Sequence, residues 1–386
     1  MFSLMTPQLV VMGGGSRHET VTVLQRLGIT RPLIVTDGFL VKTGVVGEIE
    51  ALLHKGGMAP GRFDETVPDP TVAVVEAGVT RLQEGAYDGL LAIGGGSPMD
   101  TAKAMAVLAA GGGAMRDYKV PASADKADLP IVCIPTTAGT GSEVTRFAVI
   151  TDEATDEKML IMGLACLPRA AIVDYELTLT KPLRLTADTG IDALTHAIEA
   201  FVSKKATPLS DVYALEAMRL IYPNLRTACF EPGNHAAREA MMRGATLAGL
   251  AFSNASVALV HGMSRPIGAF FHVPHGLSNA MLLPVVTAFS APAALDRYAT
   301  VARTLGLATA AEGDQAAVSA LLEALTALNR DLTVPSPAAY GIDEARYRDL
   351  MPRMAEQALA SGSPGNNPRV PTAAEIVTLY DAAYRG

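Results

Sequence analysis

Cysteine is scarce in this chain: Cys133, Cys166 and Cys229 lie far apart and form no CxxC pair. An odd, sparse set argues against a disulfide framework and against a thiolate metal site. Aromatic residues are only 5% of the 386, while alanine and glycine are frequent, a composition suited to helices packed closely on a sheet. Charged residues reach just 18% against 49% apolar, which excludes a disordered chain and allows one large or two ordinary domains. The net charge is −8, and no run of lysine and arginine could track a phosphate backbone, so nucleic acid is not an expected partner. The opening residues MFSLMTPQLVVMGGG lack the basic start, apolar centre and cleavage site of a secretory signal, and a cytoplasmic address is expected.

Charge is missing locally as well. Between Arg243 and Asp296 the one formally charged residue is Arg265. The 21 residues 244–264 are long enough to span a bilayer, but they include Ser253, Asn254, Ser256 and His261, and a Pro-His-Gly break follows. A helix buried inside a large protein accounts for that mixed polarity better than a membrane span.

What is present divides the chain in two. RPLIVTD (31–37), YDGLLAIGGG (87–96) and LPIVCIPTT (129–137) read as buried strands, with amphipathic helical stretches near 40–56, 71–84 and 98–110. Such alternation predicts an α/β domain over 1–180, with a Rossmann-like, mostly parallel sheet and ligands beyond the carboxyl ends of the strands. From 181 to 386 the strand signals fade. Helical patterns at 187–203, 208–229, 234–262, 276–290, 293–305 and 314–329 predict an all-helical domain.

The loop Gly94-Gly95-Gly96-Ser97-Pro98-Met99-Asp100 follows a strand and opens a helix. Ser97 is the expected N-cap, Pro98 fits the first turn, and Asp100 completes a Ser-x-x-Asp capping arrangement. Glycines there let backbone N–H groups approach a phosphate at the positive end of a helix dipole, although neither GxGxxG nor GxxxxGK[ST] spacing is present. Thr136-Thr137-Ala138-Gly139-Thr140-Gly141-Ser142 adds donors at the same sheet edge. Asp37 ends an earlier strand. Alone it reads as a helix cap; with the other two loops it can accept ribose hydroxyls, which favours NAD over NADP.

Asp192 and His196 are i and i+4 in TGIDALTHAIEAF (189–201), so a helix projects both from one face. His261 and His275, with His272 between them, lie in the charge-poor region, where burying imidazoles is costly without partners. Three imidazoles and a carboxylate make a nitrogen/oxygen set suited to Fe(II), Zn(II), Mn(II), Co(II) or Ni(II). Asp188, Glu199 and His272 are rival ligands on position alone.

The chain resembles the iron-containing (group III) alcohol dehydrogenases, in particular the lactaldehyde and propanediol oxidoreductase branch. GGGSPMDTAK (94–103), PTTAGTGSEVT (135–145), TGIDALTHAIEAF (189–201), LVHGMSRPIGAFFHVPHGLSNA (259–280) and GNNPR (365–369) carry the likeness, in the family's order. The resemblance implies an NAD-binding α/β domain, a helical metal-binding domain and an active site in a cleft between them. It implies Asp192, His196, His261 and His275 as ligands of Fe(II) or another divalent ion, leaving out Asp188, Glu199 and His272. It places Asp37, Gly95, Gly96, Ser97, Thr136, Thr137, Thr145 and Lys158 at the cofactor, with Asp100 in the same turn, and it implies homodimers or assemblies of dimers.

Departures from the family pattern are informative. Asp69 stands where the family carries Asn, which puts a cofactor contact there in doubt. Arg265, at a catalytic position, replaces a His that many relatives carry and cannot relay a proton as that His would. Arg146 occupies a place near the substrate where an uncharged residue is expected. Phe252 is a candidate pocket wall, with core packing as the equal alternative. The expected reaction is RCH2OH + NAD+ ⇌ RCHO + NADH + H+ on a small alcohol or aldehyde, and Arg265 suggests an anionic substrate or a buried acidic partner. The competing expectations are a dehydroquinate synthase-like cyclisation, which needs clustered basic residues not seen here, and a non-catalytic member of the fold.

Overall fold

The computed structural model describes residues 2–155 and 157–386. Met5–Thr180 form one compact unit, and Lys181–Gly386 joined by residues 2–4 form the other.

The first unit is built on six parallel strands in the order β1-β8-β5-β4-β2-β3: β1 Leu9–Met12, β2 Pro32–Val35, β3 Gly61–Phe63, β4 Gly89–Gly94, β5 Ile131–Pro135 and β8 Ala170–Val173. A separate antiparallel hairpin pairs β6 Phe147–Asp152 with β7 Glu157–Met162. Alternate residues serve the two faces of the sheet. Leu33, Val35, Leu90, Ala92, Ile131 and Cys133 join one core with Met99 and Met105 of the helix Gly96–Gly111. Ile34, Leu91, Ile93, Val132 and Ile134 join the other with Ile49 and Leu53 of the helix Val45–Lys55. Burial on both faces is why these strands read as unbroken apolar runs. Because all six are parallel, the loops after β1, β2, β4, β5 and β8 emerge at one edge.

In the second unit the helix Leu183–Val202 is buried along nearly its whole length. Gly190 lets it approach its neighbours, since a Cβ there would meet Leu225 Cδ1 at 2.3 Å. The expected helix over 234–262 is two helices, His235–Ala255 and Leu259–Phe271, bent by 103°. Ser256 breaks the ladder with a left-handed φ of 66°. Asn366 of the GNNPR segment holds the break, donating through Nδ2 to Ser256 Oγ and Val257 O at 3.0 Å each. The charge-poor stretch 244–264 is therefore not one continuous span. The helix from His275 passes the length and apolarity of a membrane span, but 61% of that window is buried inside the protein.

Candidate metal centre and cofactor loops

The bend at Ser256 leaves Ala258 as an N-cap without a side-chain bond of its own. Glu199, reaching from the Leu183–Val202 helix, supplies the missing acceptor: Ala258 N donates to Oε2 at 2.9 Å and Val260 N to Oε1 at 2.6 Å. The same Oε2 lies 2.6 Å from His261 Nδ1. An ionised carboxylate has no proton to give, so in the neutral ring Nδ1 carries the hydrogen and Nε2 turns its lone pair away from Glu199. Glu199 is thus behind a ligand rather than a ligand itself.

His261 Nε2 faces Asp192 Oδ1 at 3.4 Å, and His275 Nε2 and His196 Nε2 each lie 3.9 Å from that oxygen. Bonds of ~2.1 Å at a tetrahedral ion separate neighbouring ligand atoms by about 3.4 Å, so the spacing is that of a coordination shell. Asp192, His261 and His275 bring ligand atoms within 4.8 Å of one another. His196 stands beside this trio, its ring stacked against Phe252 (centroids 4.2 Å apart) and His261 (4.4 Å). Asp192, His196 and His261 are buried, whereas the His275 side chain is 40% exposed, so the cluster opens to solvent on that side.

Charge in the cluster is tuned by proximity. Burial by itself would raise the Asp192 pKa, but His196, His275 and His261 hold the carboxyl well below its usual range. Burial would lower that of His261, yet the carboxylates of Glu199 and Asp192 push it up to about 9.

Asn279 tests whether a cation fits. Its Nδ2 lies 2.6 Å from Asp192 Oδ1, 3.1 Å from His261 Nε2 and 3.2 Å from His275 Nε2. An amide has two hydrogens for these three atoms, and Asn279 Oδ1 is buried with no partner among the described residues. One carboxylate oxygen and two imidazole nitrogens converging on a point suit a divalent ion better than an amide.

The rival ligands fall elsewhere. Asp188 pairs with Arg184 at 2.5 Å. His272 caps the Leu259–Phe271 helix in a left-handed conformation, φ 54°, and is exposed.

At the sheet edge the glycine loop differs from the expected capping. The helix begins at Gly96, with Gly95 as N-cap and no side-chain cap, so Ser97 lies inside the first turn. Asp100 does not close a capping box. Its oxygens accept from Ser142 Oγ at 2.9 Å and Val149 N at 3.0 Å. Glycine at 94 and 95 permits this earlier start; at Gly94, φ 156°, a Cβ would strike Pro98 at 2.4 Å. The first-turn N–H groups stay uncapped beside Thr137 and Thr140, the nearest side chains to Gly95 and Gly96.

Thr145 Oγ1 faces inward and accepts from Lys103 Nζ at 3.2 Å. Thr136 is buried, its N–H donating to Gly94 O. Asp37 caps its helix, with Leu40 N donating to Oδ1 at 2.8 Å. Lys158 pairs with Asp69 at 2.8 Å, and Asp69 has a left-handed φ of 51°, a conformation Asp shares with Asn. Arg146 is partly buried, with its guanidinium 5.5 Å from the Phe147 ring centroid.

Two features escaped the sequence reading. Lys103 is fully buried and donates to Ser142 O, Ser142 Oγ, Thr145 Oγ1 and Phe147 O, pinning the threonine-rich loop to the helix. A lone lysine within the apolar run 98–110 was the available signal. A second glycine turn, Gly13–Gly15, follows β1; Asp174 after β8 holds it, accepting from Gly15 N and from Arg17.

Comparison with known proteins agrees with this geometry. Residues 7–175 match the family model "Iron-containing alcohol dehydrogenase", and residues 186–384 match "Fe-containing alcohol dehydrogenase family, C-terminal". The chain is 39% identical to an NAD-dependent methanol dehydrogenase of Bacillus methanolicus, covering 99% of this chain and 100% of the relative. It is 37% identical to lactaldehyde reductase of Escherichia coli K12, covering 96% and 97%. Its fold superposes on a crystal structure of 1,3-propanediol oxidoreductase with TM-score 0.95 at 35% identity, covering both chains fully. The chain belongs to the iron-containing alcohol dehydrogenase family.

Proposed function

We propose that the protein is a metal-dependent oxidoreductase that moves a hydride between a small alcohol or aldehyde and NAD(H). The convergence of Asp192 Oδ1, His261 Nε2 and His275 Nε2 carries this reading; the names of the relatives agree with it, two as dehydrogenase and reductase of small alcohols and aldehydes. Asp192, His196, His261 and His275 are the proposed ligands. They would hold a divalent ion, Fe(II) by family, which when bound would supply a Lewis acid for the substrate oxygen, with NAD(H) as the hydride carrier.

The chain's own residues set the conditions. Asp192 brings the negative charge that a cation needs inside a buried cluster. Glu199 fixes the His261 ring and its tautomer, which directs Nε2 at the ion. His196 and Phe252, stacked together, wall one side, while the exposed flank of His275 leaves room for substrate to enter. Gly95, Gly96 and Ser97 present uncapped N–H groups for a pyrophosphate, with Thr136 and Thr137 beside them. Asp37 would face the ribose hydroxyls and disfavour a 2′-phosphate. Thr145, Asp100 and Lys103 act from behind as a brace, and Lys158 contributes through its pairing with Asp69. Arg146 belongs to the substrate side of this proposal. A cytoplasmic address and a homodimer complete it.

The test is anaerobic loading with Fe(II), Zn(II) or Mn(II), followed by turnover of short alcohols and aldehydes with NAD(H) and NADP(H). Stoichiometric NADH formation from an alcohol, abolished by a chelator and restored by metal, is expected. No redox change in the cofactor with any metal would overturn the proposal.

A further inference from the structure

Arg265 sits one helical turn beyond His261 on the helix Leu259–Phe271. Three other arginines of this unit are committed to protein partners. Arg184 pairs with Asp188, Arg297 with Asp211, and Arg238 ends on Thr186 and the carbonyls of Pro232 and Lys181. Arg265 makes one bond, Nη1 to Ser363 Oγ at 3.1 Å, and no carboxylate lies within ion-pair distance among the described residues. Ser363 belongs to a short turn whose Pro364 packs against Gly262, so the guanidinium is held at one corner by a fixed support.

Among the described residues no carboxylate pairs directly with Arg265, and the buried Glu199 acts on it only through its charge at longer range. The remaining nitrogens of Arg265 make no further hydrogen bond among the described residues, and the residue as a whole is partly buried. A partly buried guanidinium with unused donors is a fork for a planar or tetrahedral anion. Residues i and i+4 on a helix stand about 6 Å apart at Cβ. A molecule of a few carbons could then place an oxygen at the His261 cluster and an anionic group on Arg265.

We propose that Arg265 anchors the anionic end of the substrate, so that the preferred substrates are short alcohols or aldehydes carrying a carboxylate, sulfonate or phosphonate. This rests on the alcohol dehydrogenase reading above. Ser363 orients the guanidinium and leaves its outer N–H groups to the substrate.

The test compares kcat/KM for butanal and 4-oxobutanoate, and for the two-carbon aldehydes bearing sulfonate or phosphonate, in the metal-loaded enzyme with NADH. Wild type is expected to favour the anions. In Arg265→Ala the ratio of anionic to neutral kcat/KM should fall roughly 10- to 100-fold, as for loss of a charge-assisted bond, chiefly through KM. Arg265→Lys should fall between. Calorimetric binding of ethanesulfonate, a poor metal ligand, gives a readout independent of turnover and should be lost in Arg265→Ala. A ratio unchanged by that substitution, or equal ethanesulfonate binding by both proteins, would overturn the proposal. If wild type reduces no aldehyde, the alcohol dehydrogenase reading fails; if it reduces butanal without favouring the anions, only this inference fails.

Discussion

Gly276 lies so near the Asp188 backbone that a Cβ built on it would fall 2.4 Å from the carbonyl oxygen. The helices Leu183–Val202 and His275–Ser290 can therefore touch at this point only because a hydrogen stands where a methyl would. That contact brings His275 to Asp192. Gly276→Ala forces the two helices apart, and the backbone on the other side cannot yield as a side chain could. It should destabilise the unit by about 1–3 kcal/mol. Thermal unfolding of the metal-free protein measures that loss, and chelator competition should show weaker metal binding.

Glu199 serves two elements with one carboxylate, capping the His261 helix and holding the His261 ring. Glu199→Gln keeps the shape but loses the charge, and its amide nitrogen can face donors. Metal affinity should fall roughly 10- to 100-fold, as for the loss of a group that supports a metal-bound histidine. A titration against a chromophoric chelator checks this, with far-UV circular dichroism confirming that the helices remain.

Lys103 and Asp100 are bound to the same Ser142 hydroxyl, which accepts from one and donates to the other. Burial raises the Asp100 pKa while the Lys103 charge opposes the rise. Lys103→Met strips four oxygens of their donor and leaves the acid without its counter-charge, so the loop after β5 should loosen and NADH affinity should drop. Adding Asp100→Asn should recover part of the lost stability, because the isolated buried charge is then gone. NADH fluorescence titration and denaturant unfolding of the single and double variants measure the coupling.

Burial pushes the thiols of Cys133 and Cys166 up to about 12 and that of Cys229 to about 11. At pH 8 all three stay protonated in the native state, and a thiolate-directed reagent should label none of them. Unfolding in denaturant should release all three. Fast native labelling would contradict the packing described for Cys133 in the sheet.

Much of this architecture was legible in the chain. The runs at 31–37, 87–96 and 129–137 are continuous because both sheet faces are covered, and β2, β4 and β5 lie within them. β1 and β8 were missed because four residues such as Ala170–Val173 carry too little pattern to distinguish a strand from a helix turn. The 234–262 pattern hid its own break: Ser256 and Val257 are compatible with a helix locally, and the partner that stabilises the bend, Asn366, is 110 residues away. Asp192 and His196 were readable as a helical pair. The role of Glu199 was not, because its distance from the ligands along the helix is that of a ligand too. Only the bend, which turns the 259–271 helix's first N–H groups toward it, separates the two roles. The capping role assigned to Ser97 failed for a related reason. Glycine at two consecutive positions lets the helix start earlier, and the spacing of Ser and Asp cannot register that.

Elemental analysis tests most directly whether Asp192, His196, His261 and His275 hold a cation. Protein loaded anaerobically, desalted and measured by inductively coupled plasma mass spectrometry should hold one divalent ion per chain. Asp192→Ala, His261→Ala and His275→Ala should each lose that ion together with NAD(H)-linked turnover, while remaining folded by circular dichroism. Variants that keep both the ion and the turnover would contradict this coordination.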